Sequence, residues 1–236
     1  MNKLNQVVIL SGGLGTRLYP ITKIIPKSLV DICGKPFLYH QLEYLRLQGI
    51  ESVVICLGHM GEMVSEFLRN YDSHQMKISC SFDGESQLGT GGAIRKCLNL
   101  LEDNFYIIYG DSFLPINFQM LNKFFFDNRK NPVMSILKND GKFDISNVEK
   151  TSAYFIYYNK KKPLKNMSYI DYGLSILPKK LFYQYEEGAC FDLADLMHKL
   201  STHNQLMGYE VFDRFYEIGS HEGLAETRDF FLKTKP

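Results

Sequence analysis

Residues 7–17 read VVILSGGLGTR: four apolar residues lead directly into a loop that contains three glycines. Such a run predicts a short strand, and the glycines allow the backbone of the loop to approach a ligand closely. The loop is neither a Walker A motif nor Gly-x-Gly-x-x-Gly, because no Gly-Lys-Ser/Thr follows and Leu18 stands where the third glycine belongs. With Arg17 and Lys27 as fixed cations, the loop suits a polyphosphate. A strand-to-helix turn with two surface cations would give the same pattern.

Strands and helices alternate along the first half of the chain. Leu38, Leu42 and Leu45 recur at helical spacing, and Gly49 stands where that helix would end. Further strands are predicted at residues 52–57, 77–82 and 105–109, further helices at 62–70 and 93–101, and a glycine-rich loop at 88–92. Parallel neighbours need a crossover connection, usually a helix. The alternation therefore predicts an α/β fold with a mostly parallel sheet flanked by helices.

The pattern changes near residue 138. Short aromatic strands are predicted at residues 153–158 and 169–177, around a basic turn at 159–163 whose three lysines are by default an exposed hairpin tip. This half favours an antiparallel or mixed sheet. A helix is predicted at 193–203, a strand at 215–218 and a closing helix at 221–231. Since no linker or repeat divides the chain, we predict one domain, with parts at about 1–137, 138–220 and 221–236.

Composition excludes several classes of protein. The 236 residues are 45% hydrophobic and 22% charged, which is typical of a globular protein, and 27 basic residues against 26 acidic ones give a net charge of +1. This balance argues against non-specific nucleic-acid binding, so an anionic ligand must be held by a local arrangement. No run approaches the length of a membrane span, and the N-terminus does not resemble a secretory signal. The five cysteines, scattered and without a Cys-x-x-Cys pair, predict reduced thiols in a cytoplasmic protein and no zinc site.

Two carboxylates are candidates for a metal site. Asp111 directly follows the predicted strand at 105–109, and Gly110 leaves room beside it. Mg²⁺ typically takes one or two carboxylates and completes its shell with phosphate oxygens and water. Glu217, between apolar residues near a strand end, is the second candidate. The alternatives are a helix N-cap for Asp111 and an outward-facing strand residue for Glu217.

Four ordered motifs together resemble the sugar-1-phosphate nucleotidylyltransferases. They are residues 10–18 with Pro26-Lys27, residues 88–92, Tyr109-Gly110-Asp111, and residues 217–220. Among these enzymes, the chain is most similar to the small bacterial D-glycero-D-manno-heptose 1-phosphate guanylyltransferases. The resemblance spans residue 7 to about 231 and implies a Rossmann-like nucleotide-binding sheet with a smaller mixed-sheet subregion that binds the sugar.

The resemblance also implies roles for individual residues. Those expected to border the nucleotide are Leu10, Gly12 and Gly13 through their backbone, and Gly89 and Thr90 beside base and ribose. Separately from the resemblance, the Glu85 carboxylate could accept from the N–H groups of guanine; the alternative is a solvated loop acid. Arg17 and Lys27 would hold the triphosphate as catalytic residues, and Asp111 and Glu217 would hold Mg²⁺. Those expected to bind the sugar phosphate are Lys161, Asp171, Tyr172 and Gly173.

The chain departs from the family pattern at three places. The family usually has Asp where this chain has Glu217, which moves the carboxylate one methylene further out. Many members carry Glu-Glu-Lys where residues 159–161 read NKK, and Asn-Gly or Asn-Ala-Gly where residues 170–173 read IDYG. These changes predict an unusual sugar.

The resemblance implies transfer of a nucleotidyl group from a nucleoside triphosphate to a sugar 1-phosphate, with release of pyrophosphate, for surface-glycan biosynthesis. GTP and heptose 1-phosphate are the favoured substrates; uridylyl, cytidylyl or thymidylyl transfer to another sugar, and a non-catalytic sugar-nucleotide-binding homologue, are alternatives. A glycosyltransferase is disfavoured because the chain has no Asp-x-Asp motif. We expect no nucleic-acid or membrane partner. The chain ends soon after its closing helix, so we expect no C-terminal β-helix extension and a monomer or homodimer.

Overall fold

Nine strands form one central sheet, with helices on both of its faces. The computed structural model describes residues 3–84 and 86–234. The strands are β1 (Gln6–Ser11), β2 (Asp31–Ile32), β3 (Lys35–Pro36), β4 (Ser52–Leu57), β5 (Lys77–Phe82), β6 (Asn104–Tyr109), β7 (Ser112–Phe113), β8 (Val133–Lys138), β9 (Val148–Lys150), β10 (Ile156–Tyr158), β11 (Tyr169–Pro178), β12 (Met207–Val211) and β13 (Tyr216–Glu217). The helices are α1 (Phe37–Leu47), α2 (Gly61–Arg69), α3 (Gly89–Lys96), α4 (Phe118–Asp127), α5 (Leu193–Thr202) and α6 (His221–Lys233).

The main row of the sheet runs β5, β4, β1, β6, β11, β8, β12. The strands of this row are parallel except β11, which is antiparallel to both β6 and β8. β9 pairs with β11 and with β10 at one side of the row. The predicted α/β fold with a mostly parallel sheet is confirmed, and the predicted mixed part is the β8 to β12 region.

The apolar run at residues 7–10 is buried because β1 lies at the centre of the sheet. Val7 and Ile9 face a core formed with α1, α2 and α4, while Val8 and Leu10 face a second core formed with α3 and α5. All four side chains are at most 8% exposed. A strand covered on both faces has no need for polar alternation, which explains the uniform run.

Two sequence predictions are wrong in detail. α3 begins at Gly89 rather than near residue 93, because the amides of Gly91 and Gly92 donate to the Phe191 carbonyl at 3.0 and 3.2 Å and so begin the helix earlier. The lysines at 160–162 are not a hairpin tip, because β9 lies between β10 and β11 and the segment that joins those two strands crosses over it. The remaining predicted elements lie within a few residues of observed ones.

A third, smaller core holds the end of the chain against the first loop. β13 pairs with β7 so that Glu217 lies opposite Ser112, and α6 packs over this ribbon. Leu18 from the first loop and Leu224 from α6 are both buried there. The last motif is thereby brought beside the first and the third. Within the described residues no helix combines the length and apolar character needed to cross a membrane.

Candidate active site

A cleft of about 230 Å³ opens at the carboxyl ends of β1 and β6. In parallel sheets this edge is where ligands bind. The cleft brings together seven of the residues predicted from the sequence, namely Leu10, Gly12, Gly13, Lys27, Gly89, Thr90 and Asp111. Glu85, predicted to accept from guanine, lies outside the described residues.

The glycine loop is shaped by close backbone approach. A Cβ at Gly58 would lie 2.6 Å from the Gly12 carbonyl oxygen, and the same oxygen accepts from His59 N at 3.3 Å. Gly15 adopts a φ of 65°, and its carbonyl accepts from the Thr22 hydroxyl at 2.7 Å. A Cβ at Gly13 would have no described atom within 4 Å, so this position faces open space. The loop is therefore packed at Gly15 and open at Gly13, which lines the cleft.

Lys27 and Asp111 form an ion pair in the wall of this cleft. Lys27 Nζ lies 2.9 Å from Asp111 Oδ2, with side-chain exposures of 17% and 29%. Partial burial reduces solvent screening, so this pair is stronger than a surface one. Asp111 lies in the turn between β6 and β7, where its carbonyl accepts from Ile218 N at 2.9 Å. It precedes no helix, so the N-cap alternative is wrong.

Glu217 lies beside this pair. Burial raises the pKa of Glu217 and the charge of Asp111 raises it further, whereas Arg17 and Lys27 lower it. The Ser220 hydroxyl donates to Glu217 Oε1 at 3.3 Å. Two carboxylates and two cations from three separate sequence motifs therefore interact, and Glu217 faces them rather than solvent.

Arg17 lies at the rim of the site. It is exposed. A Cβ at Gly219 would lie 3.0 Å from the Arg17 Nη2 atom, and this Cβ would also overlap the Glu217 carboxylate. Gly219 thus leaves room for the guanidinium and the carboxylate to approach each other. An exposed guanidinium in this position is free to reorient toward an anion.

A larger cleft of about 1350 Å³ adjoins the first one. Tyr109 and Asp111 line both clefts, so the two meet at the end of β6. The Tyr109 ring lies beside Gly173, 3.6 Å from the position of a Cβ there. Burial and then the charges of Asp171, Asp192 and Asp111 raise the pKa of Tyr109, so its hydroxyl remains protonated.

The residues predicted to bind the sugar phosphate all line this second cleft. Gly173 N donates to Asp171 Oδ1 at 2.9 Å, and Asp171 N donates to Asn147 Oδ1 at the same distance. Burial raises the pKa of Asp171, while the Gly173 amide and the Lys160 charge lower it. Tyr172 is 1% exposed and packs in the core, so its side chain has mainly a structural role.

Lys161 is tied to a helix. Its Nζ lies 2.6 Å from Asp195 Oδ1 on α5, and the two side chains are 66% and 49% exposed. Lys160 also lines the cleft and is the lysine whose charge acts on Asp171. The structure thus adds Lys160 to the cation predicted from the sequence.

Thr90 has a structural contact that the sequence does not show. Its hydroxyl donates to Asp192 Oδ1 and accepts from Leu193 N at 2.8 Å, which joins α3 to the start of α5. The residue lines the first cleft, but its hydroxyl is already engaged.

Asp83 is a site residue that the sequence prediction missed. It lines the first cleft directly after β5, and burial raises its pKa whereas the Leu88 amide and the Lys96 charge lower it. A carboxylate immediately after a strand is the same signal that identified Asp111, so the sequence contained it. Gln87 lines the same cleft.

The donor set at Asp111 and Glu217 fits a hard divalent cation. No group of three or more His, Cys, Asp or Glu side chains suited to a metal occurs in the described part of the chain. Two carboxylate donors match Mg²⁺, which completes its octahedron with phosphate oxygens and water. Such a site would bind the cation more tightly when a polyphosphate is present.

The chain is similar to known proteins in both sequence and fold. D-glycero-alpha-D-manno-heptose 1-phosphate guanylyltransferase of Campylobacter jejuni subsp. jejuni serotype O:2 is 30% identical over 220 residues, covering 92% of this chain and 96% of that protein. The solved structure of HddC from Yersinia pseudotuberculosis complexed with GMP-PN has a similar fold, with a TM-score of 0.83 and 26% sequence identity. The match covers 97% of this chain and 100% of that chain. The inositol-1-phosphate CTP transferase from T. maritima, at 17% identity, a TM-score of 0.79 and coverages of 99% and 98%, shares the fold. The family model described as nucleotidyl transferase matches residues 6–233. This chain therefore belongs to the nucleotidyl transferase family.

Proposed function

We propose that the protein transfers a nucleotidyl group from a nucleoside triphosphate to a sugar 1-phosphate, releasing pyrophosphate and a nucleoside diphosphate sugar. The observation that carries the proposal is that two clefts of different character meet at Asp111. The smaller one, with the glycine loop and Lys27, suits a nucleotide. The larger one, with Asp171 and Lys160, suits a polar, anionic sugar derivative. Reacting groups bound on either side would meet beside Lys27 and Asp111.

The reaction needs little proton transfer. A phosphate monoester has a second pKa of about 6, so at neutral pH its oxygens are already nucleophilic and no general base is required. One of these oxygens attacks the α-phosphorus of the triphosphate, the new phosphorus–oxygen bond forms, and the bond to pyrophosphate breaks. The remaining work is to hold two anions together and to stabilise charge on the α-phosphate and the leaving group.

We assign that work to four side chains. Lys27 lies in the wall of the nucleotide cleft and would neutralise phosphate charge. Arg17, which is exposed and lies beside Glu217, would turn toward the triphosphate. Asp111 and Glu217 would hold Mg²⁺. A divalent cation there would neutralise charge on the transferring and leaving phosphates and help to orient them.

We also propose that the second cleft selects the sugar. Asp171, with one carboxylate oxygen bonded to the Gly173 amide, retains the other as an acceptor for a sugar hydroxyl. Lys160 and Lys161 line the same cleft and suit the phosphate. This division corresponds to a nucleotide-binding part at about 1–137 and a sugar-binding part at about 138–220.

For the base we propose guanine and for the sugar a heptose. The Campylobacter relative is by name a heptose 1-phosphate guanylyltransferase, and the Yersinia structure is of a complex with GMP-PN. Asp83 in the nucleotide cleft could accept from the two N–H groups on the guanine edge, as Glu85 could. We place the enzyme in the cytoplasm, where its five unpaired cysteines would remain thiols and where nucleotide sugars for surface glycans would be made, as a monomer or homodimer.

The test is to incubate the protein and Mg²⁺ with GTP, UTP, CTP or dTTP and a panel of sugar 1-phosphates, and to measure pyrophosphate release. We expect release with GTP and a heptose 1-phosphate, and none when either substrate or Mg²⁺ is omitted. Turnover with UTP, CTP or dTTP, but not with GTP, would reject the assignment of guanine. Nucleotide binding without turnover for any pair would reject the enzymatic function and indicate a sugar-nucleotide-binding homologue.

A further inference from the structure

We infer that Gln41, on α1, is a positioning residue that holds the Asp111 turn at the junction of the two clefts. Its side-chain amide nitrogen donates to the Tyr109 carbonyl at 2.9 Å and to the Ser112 carbonyl at 2.8 Å. These two carbonyls lie at the two ends of the turn that contains Asp111. A single side chain therefore fixes both ends of the segment that supplies the proposed metal ligand.

The geometry of the turn shows why both ends need to be held. Its interior is bonded on other sides: Gly110 N donates to the Leu10 carbonyl at 2.9 Å, and the Asp111 carbonyl accepts from Ile218 N at 2.9 Å. These bonds hold the turn to β1 and to the β13 segment. The bonds from Gln41 hold it to α1, the third neighbour. Without these two bonds the turn loses its attachment to α1 through Gln41, which allows the Asp111 carboxylate to shift.

The burial of Gln41 makes this contact unusual. The residue is 2% exposed, and within the described residues its Oε1 atom has no hydrogen-bond partner. A buried polar atom without a partner destabilises a fold, so a side chain selected for stability alone would not place one there. The amide at position 41 is therefore explained by the two carbonyls to which it donates. Those acceptors belong to the site, because Tyr109 lines both clefts.

The chain provides a matched control in Gln6, a second buried glutamine. Gln6 is 4% exposed; its amide nitrogen donates to Ser52 Oγ at 3.2 Å and to the Leu100 carbonyl at 3.1 Å, and its Oε1 accepts from Glu102 N at 2.7 Å. It lies at the start of β1, whereas the clefts lie at the other end of that strand. Removing either amide costs the protein buried hydrogen bonds, but only Gln41 touches the Asp111 turn.

The inference rests on the proposed function, and the test separates the two. Gln41→Met and Gln6→Met are compared with the unsubstituted protein in three measurements. Two of them are thermal unfolding and steady-state kinetics, which give kcat and the KM for the triphosphate. The third is a Mn²⁺ titration followed by electron paramagnetic resonance, with a GTP analogue that cannot be cleaved after the α-phosphorus. Pyrophosphate release by the unsubstituted protein tests the proposed function by itself. The Mn²⁺ titration needs no turnover.

For Gln41→Met we expect kcat to fall about ten- to a hundredfold, the scale of a misplacement of about 1 Å, with the KM for the triphosphate within threefold. Mn²⁺ affinity should fall about tenfold. Gln6→Met should lose at least as much thermal stability, because it forfeits three hydrogen bonds, with kcat and Mn²⁺ affinity unchanged. Gln41→Asn keeps the amide on a side chain one methylene shorter, which reaches one carbonyl at most. It should therefore show smaller losses of kcat and of Mn²⁺ affinity than Gln41→Met. It replaces Gln41→Met in the test if that variant does not fold.

The inference is overturned if Gln41→Met keeps the kcat and the Mn²⁺ affinity of the unsubstituted protein. It is also overturned if Gln6→Met loses as much kcat and Mn²⁺ affinity as Gln41→Met, because that would indicate a general effect of lost stability. If the unsubstituted protein releases no pyrophosphate, the proposed function fails while the inference stands or falls on the Mn²⁺ titration. Absence of Mn²⁺ binding to the unsubstituted protein would reject the inference about Gln41.

Discussion

Lys27 Nζ lies 2.9 Å from Asp111 Oδ2, so two residues assigned to different ligands form an ion pair with each other. Triphosphate binding would draw the lysine toward phosphate, and cation binding would draw the aspartate toward the metal. Either event breaks the pair, and each becomes easier once the other has occurred. The pair therefore predicts that nucleotide and divalent cation bind cooperatively.

The first prediction concerns Lys27→Met, which should move two quantities in opposite directions. kcat/KM should fall at least about a hundredfold, because one preorganised charge is lost from the transition state. Mn²⁺ should bind more tightly than before when no nucleotide is present, since Asp111 no longer has a competing partner. Steady-state kinetics and a Mn²⁺ titration measure the two effects. Lys23→Met, which removes an exposed cation that lies over the Tyr19 ring, is the control and should change neither quantity.

Asp111→Asn is the second prediction. It should reduce kcat/KM at least about a hundredfold, because an amide oxygen is a much weaker ligand for a hard cation than a carboxylate. Raising the Mg²⁺ concentration should restore part of the rate. The measurement is pyrophosphate release as a function of Mg²⁺. Turnover close to that of the unsubstituted enzyme at all Mg²⁺ concentrations would reject Asp111 as a metal ligand.

Much of the fold could be predicted because its central strands are buried on both faces and their helices carry clear periods. Two elements were harder to predict. α4 contains three consecutive phenylalanines, of which Phe125 is buried and Phe124 and Phe126 are partly buried, so the helical spacing of its buried residues is obscured by apolar neighbours in the sequence. β12 contains Gly208 and Glu210 and gains its pairing from β8, more than 70 positions earlier in the chain. Tertiary pairing of this kind leaves little local signal.

The position of Lys27 and Asp111 in the cleft could be predicted, because each belongs to a local sequence motif beside a strand end. The site could not be predicted where a role depends on a distant partner. The hydroxyl of Thr90 is engaged by Asp192, and the start of α3 depends on the Phe191 carbonyl, about 100 positions away in the chain. Gln41 reads as an ordinary helix residue in the sequence, because its acceptors lie on another element.

The third prediction concerns Asp171 and pH. Burial raises the pKa of Asp171 more than the Gly173 amide and Lys160 lower it. Between its ordinary pKa and this raised one, the unfolded chain binds fewer protons than the folded protein, so stability falls as pH rises through that range. Asp171→Asn removes this penalty and keeps an oxygen for the Gly173 amide. Its Tm should exceed that of the unsubstituted protein at pH 7, by a margin that narrows as the pH falls toward 4.

The same substitution should weaken sugar binding. Loss of a charged acceptor for a hydroxyl removes about 1.5–3 kcal/mol, so KM for the sugar 1-phosphate should rise roughly ten- to a hundredfold, with KM for the triphosphate unchanged. Thermal unfolding across pH and two-substrate kinetics check both effects. A lower Tm at pH 7 would contradict the stability cost of burying the Asp171 charge. An equal rise in both KM values would contradict the placement of Asp171 in the sugar cleft.

The last prediction compares two glycines of the nucleotide cleft region. A Cβ at Gly91 would overlap the Phe191 ring, and this ring cannot move away easily because it stacks on Tyr185 with centroids 3.8 Å apart. Gly91→Ala should therefore destabilise the fold by about 1–3 kcal/mol, as overpacking does.

A Cβ at Gly13 meets no described atom within 4 Å, so Gly13→Ala should leave the Tm nearly unchanged. Gly13 lines the nucleotide cleft, where we place the phosphates, so the added methyl group should raise KM for the triphosphate at least about tenfold, about 1.4 kcal/mol. Thermal unfolding and steady-state kinetics of the two variants distinguish a packing glycine from a binding one; unchanged triphosphate KM in Gly13→Ala would place the nucleotide away from this loop.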